Sequence, residues 1–181
     1  MKNITLSVAS AALLVTTALF TGCASSSTSI STPVKKEYSK KYESFTLEEK
    51  TLGKNAPQEK KTLFENKLKD VFQKYDYKNS SGLKIEYSFI AYDEGNQALR
   101  YFVGFGAGEG TLKVKTTFID SSTNEVLGSI QTDGKLTMGA FGGDFDGAID
   151  KVANDIFEFA KNNYMVFKEA PKIEPKVESE I

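Results

Sequence analysis

Leu83, Ile85, Tyr87, Phe89 and Ala91 alternate with Lys84, Glu86 and Ser88. A period of two puts the apolar side chains on one face of a pleated strand and the polar ones on the other. The run therefore predicts a half-buried strand. Leu112, Val114, Thr116 and Phe118 repeat the pattern against Lys113, Lys115 and Thr117. Asp120-Ser121-Ser122-Thr123-Asn124 is turn chemistry, and Val126 to Thr132 is expected to pair back as the second arm of a hairpin. Tyr42 to Glu48 predicts a further strand, with Phe45 and Leu47 on one face.

Two segments change period. Leu63, Phe64, Leu68, Val71, Phe72 and Tyr75 recur at helical spacing, with lysines and acids between them. They predict an amphipathic helix from about Gln58 to Asp76. Ala148, Ile149, Val152, Ala153, Ile156, Phe157 and Ala160 form a second stripe, predicting a helix over about Phe145 to Asn163. Asp144, Asp146 and Asp150 sit near its start, where the helix dipole favours acids. The expected fold class is α+β: a two-layer sandwich with a mostly antiparallel sheet and the two amphipathic helices on one face.

The N-terminus follows other rules. Met1-Lys2-Asn3 is a short basic start, and Ile4 to Phe20 carries no charge. That is the layout of a secretory signal. As a helix the run would span roughly 25 Å, short of a bilayer core of ~30 Å. Leu19-Phe20-Thr21-Gly22-Cys23 resembles the lipobox of bacterial lipoproteins, with Phe20 where that family usually has Leu. The resemblance implies cleavage between Gly22 and Cys23, a diacylglycerol thioether on Cys23, and acylation of the new amino group. Several acyl chains on one residue would hold a domain to a membrane without a spanning helix. Ala24, not Asp, follows the cysteine, which in that family points to the outer membrane. ASSSTSISTP, from Ala24 to Pro33, is expected to be a flexible polar tether. The expected organisation is a signal peptide over 1–22, the lipidated cysteine and tether over 23–37, one α+β domain over 38–167, and a disordered charged tail over 168–181.

Composition narrows the chemistry. The 181 residues include one cysteine, no histidine and no tryptophan. An internal disulfide is excluded, and the commonest general base and transition-metal ligand is missing. Twenty-three basic residues against 24 acidic ones create no field that would attract nucleic acid. The balance is uneven: Lys35 to Lys84 holds 13 lysines against 8 acids, and Ile85 to Ile181 holds 9 basic residues against 16 acids. Catalysis is disfavoured and no cofactor is expected beyond the covalent lipid. Glu86, Glu94 and Glu109 are the carboxylates that could serve glycosidase chemistry. Asp144, Asp146 and Asp150 could suggest calcium, but apolar residues occupy the intervening places of a calcium loop.

Arg100-Tyr101-Phe102-Val103-Gly104-Phe105-Gly106-Ala107-Gly108-Glu109-Gly110 is the remaining motif. It lacks the last glycine of a dinucleotide fingerprint, precedes a strand instead of a helix, and has no Gly-Lys-Ser/Thr of a phosphate loop. Glycine at every second position suits close backbone approach or a sharp bend. Phe102 and Phe105 beside the glycines suit contact with a partner, and Arg100 is the only arginine.

Arg100, the run Gly104-Phe105-Gly106-Ala107-Gly108, a strand ending at Asp120, and Phe141-Gly142-Gly143 before the last helix together resemble the bacterial domain-of-unknown-function family numbered 4410, over roughly residues 40 to 165. Members are mostly predicted lipoproteins or secreted proteins, so the resemblance implies an envelope location and no catalytic residues. The order of elements is also similar to periplasmic domains of the TolB N-terminal type. The expectation is an outer-membrane lipoprotein whose periplasmic domain binds a protein or envelope component. The alternatives are a structural lipoprotein without a dedicated ligand and a carboxylate-dependent cell-wall hydrolase.

Overall fold

A computed structural model describes residues 23–39, 41–50, 56–96, 108–137 and 145–169. The elements are β1 (Cys23–Thr32), a 3-10 turn at Lys36–Tyr38, β2 (Ser44–Glu49), α1 (Gln58–Lys74), β3 (Lys78–Asn79), β4 (Leu83–Asp93), β5 (Gly110–Asp120), β6 (Val126–Thr137) and α2 (Asp146–Asn163). They form one sheet in the order β1-β6-β5-β4-β2-β3. The neighbouring pairs β1–β6, β6–β5 and β5–β4 are antiparallel. β2 joins β4 in parallel across α1, and β3 runs parallel to β2. The fold is α+β, with α1 and α2 packed on the sheet and on each other.

The alternation of β4 and β5 sets the layers. Leu83, Ile85, Tyr87, Phe89, Leu112, Val114 and Phe118 are buried, as are Phe64, Leu68 and Phe72 of α1 and the whole stripe of α2 from Ala148 to Ala160. Aromatic rings tie the layers together. Phe45 of β2 stacks on Phe72 at 4.4 Å, Phe72 meets Phe157 edge-on at 4.9 Å, and Phe64 lies 5.1 Å from Tyr87. Ring pairs of this kind add roughly 0.5–1.5 kcal/mol each beyond their burial. Asp76, at φ +59, turns the chain out of α1, close to the predicted end.

Three expectations need correction. The segment expected as a tether is an edge strand. Ala24 to Ile30 pairs with Leu136 to Ile130 residue by residue, and Cys23 pairs with Thr137. Its small polar side chains need no core of their own, because the backbone ladder to β6 holds the strand and α2 packs across it, with Thr28 reaching Asp155 at 3.5 Å. Ala24 alone of these packs on the core. Secondly, Ala91 does not continue the apolar face of β4. The register slips between Phe89 and Ala91, leaving Ile90 as the extra residue of a bulge. The bulge brings Tyr92 opposite Leu112, and Tyr92 packs edge-on to Phe145 at 5.3 Å. Thirdly, β6 runs on to Thr137 instead of ending at Thr132. Gly134 makes room for α2 there: a Cβ on it would lie 2.6 Å from Val152 Cγ2.

No helix among the described residues is long and apolar enough to cross a membrane.

Candidate functional site

Cys23 is the first described residue and the first residue of β1. Its pairing with Thr137 places it at the end of the sheet where β4 finishes and β5 begins. Both helices start at this end. Lys60 of α1 reaches Asp146 of α2 at 2.8 Å and Glu94 at 4.0 Å, and the Asp146 carboxylate holds the Lys60 ammonium above its ordinary pKa. Gly22, Arg100, Gly104, Phe105 and Gly106 lie outside the described residues, as do Phe102, Asp144 and Phe141-Gly142-Gly143. Gly108 is described. It adopts φ +72, a left-handed conformation that side chains disfavour. Its carbonyl accepts the Asn96 N–H at 3.1 Å.

Among the described residues, one face of the sheet carries no helix. Register places Ser88 opposite Lys115, and Lys115 opposite Gln131, in its middle row. Glu86 pairs with Thr117, and Lys113 with Asp133. Ion pairs cross this face: Lys84–Glu86 at 3.0 Å, Lys113–Asp133 at 3.4 Å and Lys50–Glu86 at 3.6 Å. Lys50 also pairs with Glu48, which lowers the carboxyl pKa and raises the ammonium pKa. Such solvent-facing pairs contribute at most about 1 kcal/mol each. They define a polar surface of both signs, with Lys115 exposed at its centre.

The best-built polar cluster is at the opposite end, in the β5–β6 hairpin. Asp120 is only 4% exposed. Its Oδ2 accepts the Tyr42 hydroxyl at 2.6 Å. Its Oδ1 accepts the backbone N–H of Ser122 at 2.8 Å and of Thr123 at 3.0 Å, together with the Ser122 hydroxyl. These donors hold the carboxyl well below the usual carboxylate range, the Ser122 hydroxyl first and Tyr42 second. Burial, then the bond to Asp120, pushes the Tyr42 phenol up. Glu125 beside it accepts from Lys35 and from the Tyr38 hydroxyl, which lowers its own pKa. The bond to Glu125 raises Tyr38 to about 12. A cleft of about 280 Å³ opens here between Lys41, Tyr42, Ser81, Gly82 and Asp120 to Ser122. Asp120 has its acceptor positions taken up, so it serves as a turn anchor and not as a proton acceptor.

Glu86 is held apart from the other two glutamates, whereas Glu94 and Glu109 lie at the same end of the sheet, beside the pair Asp93–Thr111. Glu86 sits in mid-β4 on the open face, whereas Glu94 follows the end of that strand and Glu109 precedes β5. Seven residue steps along β4 take Glu86 to Asp93, roughly 23 Å, against ~5–9.5 Å for a glycosidase pair. Asp146 begins α2 and pairs with Lys60, and Asp150 pairs with Lys67 at 3.3 Å. No group of metal-ligating side chains occurs among the described residues. Sequence reasoning read Asp120 to Asn124 as a turn but missed Tyr42 as its partner; no local signal links residues 78 positions apart.

The described residues form an α+β domain of one six-stranded sheet with two helices packed on it. The model of the domain of unknown function DUF4410 matches residues 48–140, and the chain belongs to that family. No curated protein matches it. Two solved dodecamers of PelC from Paraburkholderia phytofirmans, one with a leucine-to-methionine substitution, are similar at 14% and 12% identity. The similarity covers 73% of this chain and 93% and 94% of theirs, with TM-scores of 0.41 and 0.39. At that distance it bears on neither fold nor function.

Proposed function

We propose that the chain is a bacterial outer-membrane lipoprotein, anchored through Cys23, whose periplasmic domain binds an envelope protein or polymer through its bare sheet face. The observation that carries this is Leu19-Phe20-Thr21-Gly22-Cys23 at the end of an uncharged run. The bare face supports the binding half of the reading. It spans several strands and offers Lys84, Lys113 and Lys115 alongside Glu86 and Asp133. Mixed charge on a rigid sheet favours selective contact with a polar partner. The donors around Asp120 leave it a structural role in the turn.

The test is crosslinking of the intact protein in its own envelope, comparing wild type with Lys115→Glu. Lys115 is exposed and central, so reversing its charge leaves the core untouched. A crosslinked species lost in the variant, with unchanged membrane fractionation, supports the reading. Identical crosslinks from both proteins would assign binding to another surface, and a protein found only in the soluble fraction would remove the anchor.

A further inference from the structure

We propose that the domain stands directly on the bilayer by its Cys23 end, with β1 zipped into the sheet and the Asp120 corner pointing away. This rests on the lipid-anchor reading and deepens it by naming the lipid-facing surface. The described chain leaves no slack after Cys23. Pairing with β6 begins at Cys23 itself and continues over nine register positions to Thr32. Side chains reinforce the ladder: Thr28 Oγ1 lies 3.2 Å from Thr132 Oγ1, and the Ser129 hydroxyl donates to Thr32 Oγ1 at 2.8 Å. The hold continues past the strand, where the Lys35 N–H donates to the Leu127 carbonyl at 3.0 Å and Lys35 pairs with Glu125. A lipid on Cys23 is therefore attached to the sheet and not to a tether.

A free chain from Cys23 to Lys35 would average about 20 Å end to end and let the domain tumble. The zipped strand removes that freedom and fixes which end meets the headgroups. That end carries the starts of α1 and α2, the end of β4 and the start of β5. Among the described residues its charged side chains include Glu59, Lys60, Asp93, Glu94, Glu109, Lys135 and Asp146. Acids predominate, which suits zwitterionic headgroups better than an anionic surface.

The two ends are well separated. β4 alone, from Leu83 to Asp93, runs roughly 33 Å. Lys135 lies near the lipid end, opposite Thr111 and Ser25, and Ser80 lies beyond Leu83 at the far end; both are exposed. The lipidated protein would be labelled with a fluorophore at Lys135→Cys or at Ser80→Cys. Cys23 is the only native cysteine and its sulfur is taken up in the thioether, so the introduced thiol reacts alone. The probe surface is a phosphatidylcholine–phosphatidylethanolamine vesicle carrying a nitroxide-headgroup lipid.

The expected result is strong quenching at position 135 and quenching near background at position 80. A second variant, Ser27→Pro with Thr28→Pro, breaks the β1 ladder and is expected to make the two positions equal. Equal quenching in the unmodified strand background, or a contrast that survives the double proline, overturns the docked orientation while leaving the anchor intact. A mass spectrum of the purified protein without lipid on Cys23 overturns the anchor itself, and the orientation with it.

Discussion

Asp120→Asn isolates what the buried carboxylate contributes to the hairpin corner. The substitution keeps the shape and removes the charge. Asp120 accepts from Tyr42 at 2.6 Å, from two backbone N–H groups at 2.8 and 3.0 Å, and from the Ser122 hydroxyl. Hydrogen bonds to a charged acceptor contribute about 1.5–3 kcal/mol each, against about 1 for neutral pairs. An amide retains one acceptor oxygen for the turn and presents an NH₂ to one of the former donors. The losses share one group and do not add. The expected cost is about 2–3 kcal/mol, read as a lower urea midpoint of the mature chain at pH 7.

The pH dependence supplies the sharper check. The folded carboxyl titrates below its unfolded value of about 3.9. A depressed carboxyl contributes stability that is complete above the unfolded pKa and is lost as pH falls toward the folded one. The gap between wild type and Asp120→Asn is therefore constant from pH 7 to about 5 and closes as acidification proceeds below about 4. Other carboxylates titrate in the same range but do so in both proteins. A gap that is absent at pH 7, or one that stays constant to pH 3, would refute the reasoning.

Ile156, fully buried on α2, is expected to cost on the order of 2–5 kcal/mol when truncated to Ala, seen as a fall in melting temperature. Gly134→Val forces side-chain atoms into Val152 of α2 and is expected to cost about 1–3 kcal/mol in urea unfolding. Gly108→Val must carry a β-branched side chain at φ +72, with an expected cost of about 1–3 kcal/mol; an unchanged melt would remove the backbone role assigned to this glycine. Phe102→Ala with Phe105→Ala tests the partner-contact reading of the glycine-rich motif: an unchanged melt with loss of a crosslinked species supports it, and retention of every species removes it.

What could be read from the chain follows from how each element is buried. β4, β5 and the two helices each bury one face, so Leu83 to Phe89, Leu112 to Phe118 and the stripe from Ala148 to Ala160 show their periods openly. β1 is an edge strand with almost no buried side chain, so ten residues of mostly Ser and Thr carry no amphipathic signal. Only their pairing with β6 makes them a strand, and that partner is about a hundred residues away in the sequence. The bulge at Ile90 leaves no local mark either, since Tyr92 and Ala91 both suit a strand interior. The candidate anchor was legible because lipid attachment reads a linear motif around Cys23. The Tyr42–Asp120 bond was not, because it joins the segment before β2 to a distant hairpin.

The central claim is that Cys23 carries the domain on a membrane. The most direct measurement is the mass of the N-terminal peptide of the mature protein, isolated from its native envelope. The account predicts a chain that begins at Cys23, with a diacylglycerol thioether on its sulfur and an acyl group on its amine. A mature chain that begins elsewhere, or one with a free thiol at Cys23, would contradict it.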